Sequence, residues 1–237
     1  MRRQRIKLTV PRQLADKSLQ IPVITFDSGS LVFWTLLSRL GEAQIVLPSA
    51  LLAALVLLRN VETRRLAVWW MVSLGGAIAL TTVTKIAFIG WGVGYAALDF
   101  TGISGHAVFA SAVYPLLFGT LLVPRAPRGG RGVVIGAGFL LALLIGISRV
   151  IIGVHSVSEV VAGLLLGGGV SALMLGVLRL PRVATSPIFP VALVLFVALM
   201  PIHAPASVTH SAVTHLSLLL SGKKVPHTRV DLLHQVP

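Results

Sequence analysis

Apolar residues run in long, nearly unbroken stretches at 44–58, 66–90, 104–123, 132–152, 157–178 and 187–202. A helix that crosses a bilayer needs about 20 such residues. Continuous runs, without alternation of apolar and polar positions, argue for helices and against a barrel. The stretch 26–40 reads differently, because Asp27, Arg39 and Glu42 punctuate or follow Leu31, Phe33, Trp34, Leu36, Leu37 and Leu40. Charge near the bilayer centre costs several kcal/mol, so this stretch predicts a helix lying in the interface. The pattern thus predicts an all-α, polytopic membrane bundle of about six transmembrane helices preceded by an interfacial helix. The predicted division is 1–43 (basic segment and interfacial helix), 44–202 (transmembrane domain) and 203–237 (polar tail). In the tail His203, His210, His215, His227 and His234 are scattered without a tight ligand spacing. The apolar run 216–220 is too short to span, and the tail is expected to carry little structure.

Composition sharpens this picture. Of 237 residues 55% are hydrophobic and only 11% charged, against about 25% charged in a soluble domain. Seven acidic and twenty basic side chains cannot coat so apolar a body. Disorder is excluded by the hydrophobicity, and a collagen-like chain by the absence of a three-residue glycine period. The net charge of +13 does not point to nucleic acid, which wants a basic face on a soluble fold. Instead the arginines gather between apolar runs: Arg59, Arg64 and Arg65; Arg125, Arg128 and Arg131; Arg179 and Arg182. The connections at 91–103 and 153–156 hold neither Lys nor Arg. The excess of positive charge on cytoplasmic loops places the first set inside and the second outside. Arg2, Arg3, Arg5, Lys7, Arg12 and Lys17 at the N-terminus conflict with that arrangement, and the several consistent loops are given the greater weight. Cysteine is absent, which removes disulfides, thiolate metal sites and a cysteine nucleophile.

Candidate chemistry sits at the uncharged, outer end. The segment before the third span ends Asp99–Phe–Thr–Gly–Ile–Ser104–Gly105–His106, and the turn between the fourth and fifth carries Ser148–Arg149 and His155–Ser–Val–Ser–Glu159. Lys85 stands near the outer end of the second span. Ionisable residues at membrane depth are functional candidates. Lys85 and Arg149 are positive charges, and the guanidinium fork matches phosphate oxygens. Ser104 and the amides around Gly105 open a helix, a ready anion site. His155 and Glu159 are four apart and share a helix face; a carboxylate on one imidazole nitrogen fixes the tautomer and leaves the other nucleophilic. His106 is then available as a general acid. No metal-ligand set and no cofactor motif is evident, and the two cations can stabilise charge in their place.

These two motifs resemble the type 2 phosphatidic acid phosphatase superfamily, which carries Ser–Gly–His followed by Ser–Arg, five residues, His, three residues and an acid. The resemblance covers roughly 85–160. It implies a helical membrane phosphatase of the bacterial inner membrane, with its site facing the periplasm or exterior. It further implies hydrolysis of a lipid phosphate monoester or pyrophosphate through a phosphohistidine. By that match His155 is the nucleophile, His106 the general acid and Glu159 the partner of His155, while Lys85, Ser104, Gly105 and Arg149 hold the phosphate. There are three departures from the pattern: Gly92–Val93 stand where the family has Arg–Pro, Ile103 replaces a proline, and Glu159 replaces an aspartate. Two alternatives remain open: a lipid phosphotransferase with the same residues, and a non-catalytic transporter or binding protein on the same fold.

Other features have plainer expectations. Gly90, Gly92 and Gly94 form an outer loop and not a dinucleotide fingerprint, since no strand precedes them. Asp99 is expected in a turn. Gly163 with Gly167, and Gly132 with Gly136, predict close helix packing. Trp69 and Trp70 suit an interfacial belt.

Overall fold

A computed structural model describes residues 28–127, 129–177 and 208–234, together with positions 191, 192, 195, 196 and 199. The segment 1–27 and most of the predicted sixth span lie outside the described residues. Among the described residues, eight helices have defined bounds, in chain order: α1 (Ser28–Arg39), α2 (Ala43–Leu58), α3 (Val61–Trp91), α4 (Gly105–Leu121), α5 (Arg131–Ile151), α6 (Val157–Val177), α7 (Val208–Ser221) and α8 (Arg229–Leu233). Among the described residues there is no β-strand, only an isolated bridge between Tyr95 and Phe100. Four stretches are long and apolar enough to cross a membrane: Gly29–Leu58, Val61–Trp91, Arg131–Ile151 and Val157–Val177. This is an all-helical integral membrane protein.

The helix α4 is the shorter apolar helix of the set, and its place explains why. Every residue of α4 except His106 and Phe118 is buried, so it is the central post of the bundle, packed chiefly against α5 and α6. A helix that is apolar all round belongs inside. Its neighbours turn apolar side chains outward instead, among them Leu51, Leu55, Val72, Val83, Leu140 and Leu165, as a lipid-facing surface requires.

Glycine sets the spacing of the post. A Cβ on Gly163 would stand 2.7 Å from Ser104 O, and one on Gly167 would collide with Val108 O and Ser111 Oγ. Backbone-to-backbone contact here needs both glycines, as their spacing predicts. The other pair behaves differently: a Cβ on Gly132 or Gly136 would meet nothing within 4 Å. Trp70 also departs from expectation, being fully buried with Nε1 donating to Ala112 O at 3.0 Å. It is a core residue that ties α3 to α4, while Trp69 alone remains half-exposed. In a helix of this length consecutive residues point about 100° apart, so neighbouring tryptophans cannot share one environment.

Each end of α3 is marked in the sequence. Asn60 caps its start, accepting from Glu62 N at 3.0 Å, and Gly92 ends it at φ +75°, a left-handed position that glycine adopts without strain. The C-terminal tail is not the structureless segment expected from its polarity. Helix α7 lies along α3, with Ser217 and Ser221 seated on Gly90. The chain then turns so that His227 N donates to Ile89 O at 3.0 Å, and Leu232 of α8 is buried with Phe88 and Ile89. A capping box between Thr228 and Asp231 opens α8. Gly90 lets α7 approach α3 closely, and where the chain meets the end of α3 its backbone is paired, His227 N with Ile89 O.

Candidate active site

Antiparallel succession brings the C-terminal ends of α3 and α5 and the N-terminal ends of α4 and α6 to one end of the bundle. That end carries the two connections without Lys or Arg. A cavity of about 620 Å³ opens there, walled by Lys85, Gly105, His106, Arg149 and His155 among others. Ser104 and Glu159 are fully buried immediately behind this wall. All seven residues singled out in the sequence therefore meet in one place.

Lys85 leaves α3 beneath the 92–104 connection, where Gly102 packs on its side chain at φ +139°. Its Nζ lies 3.8 Å from the position a Cβ on Gly105 would take, beside the first turn of α4. Ser104 is the N-cap residue of α4, yet its hydroxyl makes no capping bond. The backbone instead fixes it: Ser104 N donates to Glu159 O at 3.1 Å, and Ile103 N to Thr84 Oγ1 at 3.2 Å. Ser104 Oγ is buried without a hydrogen-bond partner. Arg149, in the last turn of α5, donates from Nη1 to Ser38 Oγ at 2.6 Å, while its Nε is buried and unpartnered. Buried polar atoms are rarely left so, and both of these can serve an anion.

His155 follows α5 in a turn where Gly153 takes φ +72° and His155 N donates to Arg149 O at 3.2 Å. Its Nδ1 lies 2.6 Å from Glu159 Oε2, which puts the ring proton on Nδ1 and leaves Nε2 with its lone pair. Burial pulls the imidazole below its ordinary range. The hydrogen bond to Glu159 opposes that pull, and the charges of Lys85 and Arg149 add to it. The His155 imidazole is thus held neutral at pH 7. The other carboxylate oxygen, Glu159 Oε1, accepts from Thr101 N at 2.7 Å and Thr101 Oγ1 at 2.5 Å.

Three contributors to the site were not read from the sequence. Ser38 steadies Arg149 across the bundle, Thr101 holds Glu159, and Arg229 of the C-terminal segment donates from Nη2 to Glu159 Oε2 at 2.8 Å and from Nη1 to Asp99 Oδ2 at 2.5 Å. The Thr228-to-Asp231 spacing is a capping-box signature and was the available sign that this part of the tail is ordered. Asp99 sits in a turn, as expected, with φ +49°. Among the described residues no three His, Asp or Glu side chains converge as a metal-ligand set.

A model of the PAP2 superfamily matches residues 87–181, the span that carries His106, Arg149, His155 and Glu159. A Klebsiella pneumoniae relative, described as an uncharacterized 22.5 kDa protein in the cps region, is 37% identical over 206 residues, covering 85% of this chain and 98% of that protein. The chain belongs to the PAP2 superfamily. That superfamily includes phosphatases acting on lipid phosphates. A second relative, phosphatidylglycerophosphatase B of Bacillus subtilis (strain 168), is 41% identical over 71 residues, which are 29% of this chain and 34% of that protein. No solved structure matches the chain. Lys85 and Arg229 lie outside the family-matched span, and of the two only Arg229 was not singled out in the sequence.

Proposed function

We propose that this PAP2 protein hydrolyses the phosphate of a membrane lipid, a monoester or pyrophosphate, through a phosphohistidine on His155. The observation that carries the reading is the pair of buried, unpartnered donors, Ser104 Oγ and Arg149 Nε, beside an imidazole whose Nδ1 is committed to a carboxylate. Phosphate oxygens would satisfy both donors, together with Lys85 and the opening amides of α4. His155 Nε2 attacks phosphorus, and a P–N bond forms as the bond to the leaving oxygen breaks. His106 gives that oxygen its proton. Water then attacks the phosphohistidine, its proton passes to His106, and the P–N bond breaks to release phosphate and restore His155. Glu159 balances the positive charge the ring carries while phosphorylated. Lys85 and Arg149 offset the charge on the equatorial oxygens throughout.

Apolar side chains also line the cavity: Ile78, Phe88, Ile89, Phe109 and Val213. Such a wall suits an amphiphile whose tail stays in the bilayer. Phosphatidic acid, phosphatidylglycerol phosphate and undecaprenyl pyrophosphate all fit this description, and the name of the Bacillus relative puts phosphatidylglycerol phosphate first in a panel. The loop charges support a site facing the periplasm, and the outward-facing Val32 and Phe33 are compatible with an α1 lying in the interface ahead of six spans. Single cysteines at 60 and 95, at opposite ends of α3, are expected to label from opposite sides; labelling from one side overturns the topology. The function is tested by phosphate release from the lipid panel in EDTA, with His155→Ala as control. Release by the wild type and none by the variant is expected. Strict dependence on a divalent ion, or undiminished release by His155→Ala, refutes the mechanism.

A further inference from the structure

Glu159 Oε2 is shared. It accepts from His155 Nδ1 at 2.6 Å, from Ser156 N at 3.2 Å and from Arg229 Nη2 at 2.8 Å. The same guanidinium donates from Nη1 to Asp99 Oδ2 at 2.5 Å, and its Nη2 also reaches Thr101 Oγ1 at 3.4 Å. One rigid fork therefore joins the 92–104 connection to the start of α6 at the oxygen that holds the nucleophile. Arg229 arrives there on a strap with a prepared seat. Gly92, at φ +75°, leaves room for the His227 ring, which a Cβ there would meet at 3.2 Å. Gly94 leaves room for Leu232, which a Cβ there would meet at 3.1 Å. Gly92 is also the position at which the motif resemblance expects an arginine, so the strap fills the space from which such a side chain would start.

We propose that Arg229 is a positioning residue for the His155–Glu159 pair: bridging Glu159 to Asp99, it fixes the carboxylate that orients the imidazole for attack. This rests on the reading of the site as a phosphohydrolase. A carboxylate has about four lone-pair sites, and Glu159 receives five donor contacts, so it has no rotational freedom left while Arg229 is in place. Without Arg229 the fork to Asp99 is lost, and the carboxylate is held only by Thr101, by Ser156 N and by the partner it must orient. The cation also acts on the charge balance. His155 is faced by Lys85 from α3, Asp99 and Thr101 from the connection, His106 from α4, Arg149 from α5, Glu159 from α6, and His227 and Arg229 from the strap. Removing one positive charge from this group favours the protonated imidazole, so the acid limb of the pH–rate profile moves to higher pH.

The test uses the full-length protein in detergent with a lipid phosphate it turns over. Arg229→Ala is expected to lower kcat about 10–100-fold, the range typical of losing the outer partner of a ligand-orienting pair, while KM changes less than about twofold. Its acid limb should move to higher pH. Arg229→Lys should recover part of kcat and return the limb toward wild type. A rise in KM with kcat preserved would instead make Arg229 a substrate contact, and an unchanged kcat and limb would make it a mere anchor; either overturns the proposal. Asp99→Asn loosens the fork from its other side without disturbing the seat of the strap; it should lower kcat in the same way, while the loss of a negative charge moves its acid limb to lower pH, opposite to Arg229→Ala. If Arg229→Ala does not fold, wild-type behaviour in Asp99→Asn overturns the proposal by itself. Imidazole titration by NMR reads His155 without turnover. No upward shift in Arg229→Ala sinks the role of Arg229, whereas absence of phosphate release by the wild type sinks only the phosphohydrolase reading.

Discussion

Glu159→Gln is the substitution that most directly weighs charge against geometry in this site. The side chain keeps its length and its place at the start of α6, but the negative charge disappears. Two consequences can be sized. In the phosphorylated state the ring bears a positive charge roughly 4 Å from the carboxylate, worth about 4 kcal/mol at an effective dielectric constant of about 20. That corresponds to about a thousandfold in rate. Arg229 on the same oxygen offsets part of the attraction, so the expected loss in kcat is about 10²–10³-fold. The second consequence is a donor conflict. Oε1 receives two donors from Thr101, and Oε2 receives His155, Ser156 and Arg229. Whichever way the new amide turns, its NH2 faces donors it cannot accept, costing about 1–3 kcal/mol of stability. Steady-state phosphate release gives kcat and KM, and a thermal melt in detergent reports the fold. The expected result is a folded protein with kcat down by at least a hundredfold and KM little changed. Turnover within tenfold of wild type in a folded variant would refute the electrostatic role and leave Glu159 as an orienting group alone.

Three further outcomes follow from the same geometry. His106→Ala should cost about 10²–10⁴-fold in kcat on a monoester and distinctly less on a pyrophosphate, whose leaving oxygen needs less protonation; equal losses on both would remove His106 as the acid. Lys85→Ala should be nearly as damaging as Arg149→Ala, each losing about 1.5–3 kcal/mol of charged hydrogen bonding, read as kcat/KM; a near-wild-type Lys85→Ala would show that its ammonium does not reach the phosphate. Gly167→Ala should destabilise the bundle by about 1–3 kcal/mol through overpacking against α4, while Gly169→Ala, with nothing within 4 Å of its Cβ, should melt as wild type does. Equal melts would place the contact of α6 with α4 elsewhere.

The sequence by itself determined that the chain is a helical membrane protein, because long apolar runs leave the backbone no partner in lipid except its own helix. It also determined the chemical vocabulary of one end. Lys85, His106, Arg149, His155 and Glu159 stand out because ionisable groups are costly there and need a purpose. The i, i+4 relation of His155 to Glu159 and the capping position of Ser104 are local spacings, and local spacing survives into the fold unchanged. Tertiary structure alone decided everything carried by contacts distant along the chain. That Trp70 is core and not interface depends on Ala112, 42 positions away. That α4 is the buried post depends on how its neighbours close around it, since its apolar run reads like any other span. That the tail is ordered, with Arg229 on Glu159 across 70 positions, depends on glycines of α3 and its exit loop that make room only once the two are face to face. Polarity made the tail look solvent-bound because a sequence shows which groups are polar and not which partners will satisfy them; the carboxylates of Asp99 and Glu159 reach Arg229 only after the bundle has assembled.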